Sequence, residues 1–137
     1  MFFILLCSLV IYCSYPFING SGCDFYAETE DDVRAINMSC FAGILTTVYQ
    51  KKTTGDIFVT KSLFGKRGDT IYLVNYNARY ELGKTVLRKI FLPKFINDHY
   101  FSSYKLFHGI DGEDIVVSDA PVYSIYQLDR TGALSWL

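Results

Sequence analysis

Charge is missing from the start of this chain: no Asp, Glu, Lys or Arg occurs in residues 1–18. Histidine is nearly missing too. His99 and His108 are the only two, and neither stands in a metal-ligand spacing with the four cysteines. That excludes the common zinc motifs. No Gly-x-Ser-x-Gly elbow is present, so the best-known hydrolase signature is absent. Gly83-Lys84-Thr85 ends like a phosphate-binding loop, but Ala78 stands where that loop needs its first glycine. Asp111-Gly112-Glu113-Asp114 lacks the alternating oxygen ligands and distant Glu of an EF-hand, and reads as a turn. There is no internal repeat, linker or low-complexity tract, and no nucleic-acid-binding module. No residues point to a cofactor or a metal.

What stands in place of charge at the N-terminus is an apolar block. Phe2, Phe3, Ile4, Leu5, Leu6, Leu9, Val10 and Ile11 precede the small and turn-forming residues Ser14, Pro16, Gly20, Ser21 and Gly22. That order is the layout of a secretory signal peptide. Cleavage after Gly22 leaves 23–137 as a single domain, and cleavage after Cys13 also fits. The alternative is an uncleaved anchor with the domain outside the cytosol, although a span needs about 20 apolar residues and Pro16 interrupts the far end. Export gives meaning to two further features. Cys23 and Cys40 remain as one pair, expected to form a disulfide worth about 3 kcal/mol. Asn37-Met38-Ser39 is a glycosylation sequon, with Asn37 the acceptor; Asn19-Gly20-Ser21 is a second, removed by cleavage after Gly22.

Eleven Phe and eleven Tyr with few alanines favour strands, because flat and branched side chains pack well on a pleated surface. The fold expected is mainly β: a small antiparallel β-sandwich or barrel with one short N-terminal helix, or alternatively an α+β arrangement of a helix on an antiparallel sheet. The helix is expected at 29–40, where Thr29 and Asp32 resemble a capping box and Val33, Ile36 and Cys40 share a helical face. Strands follow at 41–49, 57–60, 70–74 (with 76–82 pairing back), 100–107, 115–117 and 122–128. Turns are expected at 51–56, 65–69 and 109–112, and residues 84–92 fit either a strand or a helix ending at Pro93. Trp136 is expected in the core or at an interface.

Charge is segregated along the chain. Five acids lie between Asp24 and Asp32, whereas Lys51–Lys105 holds eleven bases against four acids. Within that basic stretch Lys84, Arg88 and Lys89 alternate with apolar residues, a pattern able to contact a sulfated glycan, a lipid head group or an acidic protein. Arg67-Gly68-Asp69 falls in a glycine-bounded turn, where an exported domain presents an adhesion-type triplet; the same residues also make an ordinary solvated hairpin. His99 and His108 read as strand-end histidines and not as general bases. The function expected is therefore non-enzymatic: a secreted, disulfide-linked glycoprotein that binds another protein at a cell surface, such as a viral or parasite factor engaging its host. The alternatives are an anionic glycan or lipid-head-group module acting through 51–105, and a signal-anchored membrane subunit.

Overall fold

The computed structural model describes residues 2–81, 100–109, 113–118 and 124–137. An apolar helix, α1 (Phe2–Gly20), precedes eight strands: β1 (Asp24–Glu30), β2 (Arg34–Phe41), β3 (Ile44–Lys51), β4 (Ile57–Arg67), β5 (Thr70–Glu81), β6 (Phe101–His108), β7 (Glu113–Ser118) and β8 (Ser124–Ala133). Each strand pairs antiparallel with the next, and β8 pairs with β1, so the sheet closes into an up-and-down barrel. The expected β-rich fold is thus a barrel, and the one helix among the described residues lies at the N-terminus.

Alternation in the sequence generates the wall. In β1, Phe25 and Ala27 are buried while Asp24, Tyr26, Glu28 and Glu30 are exposed. Along β4 the inward set is Thr60, Ser62 and Phe64. Phe25, Leu45, Phe64, Ile71, Leu106, Val116 and Leu128 form the apolar core. Phe25 and Phe64 meet edge to face with ring centres 5.6 Å apart, a favoured aromatic geometry.

Residues 29–40 are not a helix. They form the ends of β1 and β2 with a turn between them. The acids that resemble a helix cap serve that turn: the Asp31 carboxylate accepts backbone N–H bonds from Val33 (2.8 Å) and Arg34 (2.7 Å). Ile36 and Cys40 are buried at strand spacing, whereas Val33 is exposed. A spacing of four satisfies both periods, and cross-strand pairing decided between them. The Cys23–Cys40 disulfide forms as expected and ties together the base of this first hairpin.

Two further differences concern β4 and β5. Residues 65–67 belong to β4, so the turn shrinks to Gly68-Asp69. Residues 76–81 continue β5 and do not fold back on it; a bulge opposite Lys61/Ser62 absorbs the extra residue. The β2–β3 turn is Ala42-Gly43, both at positive φ (50° and 82°), the conformation of a type I′ hairpin. The ambiguous segment 84–92, most of the expected 109–112 turn and the start of the expected 122–128 strand lie outside the described residues.

The last turns of α1 dock onto the barrel. Pro16 does not end the helix; it is buried, as are Asn19 and Gly20. A Cβ on Gly20 would meet the Phe64 carbonyl oxygen at 2.3 Å, so only glycine permits this approach. The Asn19 amide donates to the Lys66 carbonyl (3.0 Å) and accepts from the Leu137 N–H (3.0 Å), joining helix, β4 and C-terminus. Trp136 is not in the core. It is 73% exposed, lies over Gly22, and donates its indole N–H to the Ser21 hydroxyl at 3.3 Å.

Candidate functional site: a cavity inside the barrel

The inward side chains do not fill the barrel. They enclose a cavity of about 450 Å³, inside the range of small-molecule sites. An eight-stranded closed barrel is just wide enough for side chains to fill it or for one small ligand to sit within.

The cavity wall mixes apolar and polar side chains. β8, β1 and β2 contribute Leu128, Phe25, Ala27, Ile36 and Met38 together with Thr29, Arg34, Tyr126 and Arg130. Strands β3 to β7 contribute hydroxyls and amides: Thr47, Tyr49, Thr60, Ser62, Asn75, Ser102, Tyr104 and Ser118. Leu45, Phe64, Ile71 and Leu106 make an apolar floor towards the α1 end. Ser62 donates its hydroxyl to the Asn75 side-chain oxygen. Thr47 and Thr60 are direct cross-strand partners, 4% and 5% exposed. Neither hydroxyl has a hydrogen-bond partner among the described residues. Buried polar groups are normally paired, so these two hydroxyls are open to a molecule in the cavity.

Arg34, Tyr49 and Tyr126 line the end away from α1, and Tyr104 faces them from β6. Burial pushes the Tyr49 phenol up, Tyr104 and Tyr126 act in the same direction, and Arg34 opposes them. Tyr49 is therefore neutral and can donate its O–H at physiological pH. The Arg34 guanidinium is held charged first by its hydrogen bond to Asp31 (Nε–Oδ2 3.1 Å). Asp31 in turn sits below the usual carboxylate range, chiefly because of the two backbone bonds it accepts in the turn.

One lining carboxylate is fully engaged. Asp114 is 3% exposed, ion-paired to the Arg130 guanidinium and 2.8 Å from His108 Nδ1. His108 is thus a carboxylate-paired imidazole; no hydroxyl or thiol is hydrogen-bonded to it among the described residues. Among the described residues no three His, Cys, Asp or Glu side chains come together as a metal site.

The residues singled out in the sequence lie elsewhere. Arg67, Gly68 and Asp69 are exposed at the β4–β5 hairpin, with Gly68 at φ 56°. The Arg67 guanidinium lies 4.2 Å from the centre of the Tyr12 ring on α1, so the helix already occupies it. Asn37 points to the outer face of β2, where its side-chain oxygen accepts the Tyr26 hydroxyl at 3.0 Å. It borders a shallow acidic groove with Glu28, Glu30, Glu113 and Asp129. Lys84, Arg88, Lys89 and His99 lie outside the described residues.

The outer wall carries a second pattern. Phe41, Ile44, Leu63, Val74 and Phe101 are successive register partners across β2 to β6. Four of the five are exposed large apolar side chains, and Tyr72 stacks on Phe101 at 6.1 Å.

The sequence reading missed the cavity residues, although a signal exists. In Leu45-x-Thr47-x-Tyr49 and Thr60-x-Ser62-x-Phe64, polar groups occupy the core-facing phase of a strand. The architecture is a closed β-barrel with an internal cavity. Compared with known families, curated proteins and solved structures, the chain matches none.

Proposed function

We propose that the chain is an exported, non-enzymatic binding protein that holds one small molecule inside its barrel. The observation that supports this is the roughly 450 Å³ chamber, bordered by buried Thr47 and Thr60, whose hydroxyls have no partner among the described residues. A domain selected only for stability fills such a space, because voids and unpaired polar groups both cost free energy. Export is supported by the disulfide and by α1, whose 18-residue apolar window suits a signal or an anchor. The outward side chain of Asn37 suits a glycan.

The test is a titration of the full chain with N-phenyl-1-naphthylamine, a neutral apolar fluorophore. The reading predicts saturable binding at one probe per chain. Ala27→Leu and Ser102→Phe, which fill the chamber from opposite walls, weaken it. Binding that never saturates, or that both folded variants leave unchanged, removes the chamber as the site.

A second reading has its own observation. The exposed row from Phe41 to Phe101 is a contiguous apolar belt of the kind that marks protein-binding surfaces. It supports engagement of a cell-surface protein through the outside of the barrel. Leu63→Lys abolishes cell-surface binding on that reading and leaves the titration above unchanged; retained cell binding by the folded variant counts against it.

A further inference from the structure

We infer that the chamber is built for a small amphipathic monoanion, its apolar body on the floor and its anionic head at Arg34, Tyr49 and Tyr126. The inference rests on the chamber reading and deepens it. Three observations carry it.

The first is the charge inside. The lining includes two arginines and one carboxylate. Asp114 and Arg130 are mutually paired, which leaves Arg34, half exposed at the chamber mouth and paired outside the lining with Asp31, as the lining cation a ligand can reach. Its partner Asp31 is about half exposed, and exposed ion pairs are weak enough to be exchanged for a ligand. A bound cation would face Arg34 with no free lining carboxylate among the described residues.

The second is the direction of the hydrogen bonds on offer. The hydroxyls of Tyr49, Tyr104 and Tyr126 have no hydrogen-bond partner among the described residues. The burial that keeps Tyr49 protonated makes it a donor. Phenols and a guanidinium together form a donor-rich end that fits a group rich in acceptor oxygens, such as a carboxylate or sulfonate.

The third is polarity along the chamber. Phe64, Leu106 and Leu45 close the opposite end, and the ionisable side chains that line that side, Asp114 and Arg130, neutralise each other. One end thus rewards apolar contact and the other rewards acceptors, which specifies an amphipathic molecule and not a uniformly polar metabolite.

The experiment uses a matched pair of probes on the full chain: N-phenyl-1-naphthylamine and its sulfonated counterpart, 1-anilinonaphthalene-8-sulfonate. The expected result is binding of the sulfonate at least about tenfold tighter than the neutral probe, since hydrogen bonds to a charged group are the strong ones. Tyr49→Phe with Tyr126→Phe weakens the sulfonate by about tenfold and leaves the neutral probe unchanged. Arg34→Gln does the same and flattens the salt dependence, with partial recovery in Arg34→Lys. If both probes bind equally and the variants change neither, the anionic-head assignment is overturned while the chamber stands. If neither probe binds, both readings fall.

Discussion

Replacing Thr47 by valine should stabilise the ligand-free protein, the opposite of what most core substitutions do. Thr47 is 4% exposed and its hydroxyl lacks a partner among the described residues. A buried hydroxyl left unpaired costs about 1–3 kcal/mol. Valine keeps the branched shape while replacing that hydroxyl with a methyl group, and it favours strands at least as much. The expected gain is about 1 kcal/mol for Thr47→Val. Thr60→Val should behave alike, Thr60 being 5% exposed across the strand pair. Because the two side chains face each other, their combined effect need not be the sum. The assay is urea unfolding followed by far-UV circular dichroism, with the slope unchanged and the midpoint raised. The same variants should bind the sulfonated probe more weakly, so stability and affinity move in opposite directions. A loss of about 1 kcal/mol or more in both variants would refute the reasoning, because it would show that these hydroxyls are already satisfied in the empty chamber.

Other outcomes follow from single sites. Asp114→Ala leaves the largely buried Arg130 guanidinium unpaired and should cost about 3 kcal/mol in the same unfolding assay; Asp114→Leu combined with Arg130→Met should recover most of it. Ala42 sits at φ 50°, a conformation that costs an ordinary L-residue about 1–2 kcal/mol. Ala42→Asn, which creates the preferred Asn-Gly turn, should therefore stabilise the fold by about 1 kcal/mol, read as a raised urea midpoint. Asp31 has a folded-state pKa below its ordinary value of 3.8, so its contribution is complete above that pH and fades as pH falls through the lowered value. The melting-temperature gap between wild type and Asp31→Asn should accordingly narrow from pH 5 to pH 2. For the exported protein, N-terminal sequencing should find the cut no later than Cys13, because Asn19 and Gly20 are packed into the barrel; a start at Cys23 would show that the barrel does without them.

The barrel was legible where one face of a strand is apolar and the other polar, as in Phe25-x-Ala27 and the exposed residues between them. Cys23–Cys40 was legible because reading the N-terminal block as a signal left one pair of cysteines. Residues 29–40 misled because Ile36 and Cys40 are four apart, a spacing that fits both one helical turn and two strand repeats. Only pairing with Ala35-to-Phe41 partners in β1 and β3 separates the two. Closure was not legible, since it depends on β8 meeting β1 across nearly the whole chain. The chamber followed closure into obscurity. Thr47, Thr60 and Tyr126 become neighbours of one space only after strands far apart in sequence have curled together. Chemistry drew the sequence reading to Arg67-Gly68-Asp69, which the fold places on a hairpin outside that space.

Methyl-resolved NMR of the full chain during titration with 1-anilinonaphthalene-8-sulfonate tests the central claim most directly. Binding inside the barrel should shift the methyls of Leu45, Leu106, Val116 and Leu128, which line the chamber. Those of Ile44, Leu63 and Ile125, exposed on the outer wall, should stay in place. Shifts confined to the outer methyls, with the inner ones unmoved at saturation, would contradict the account.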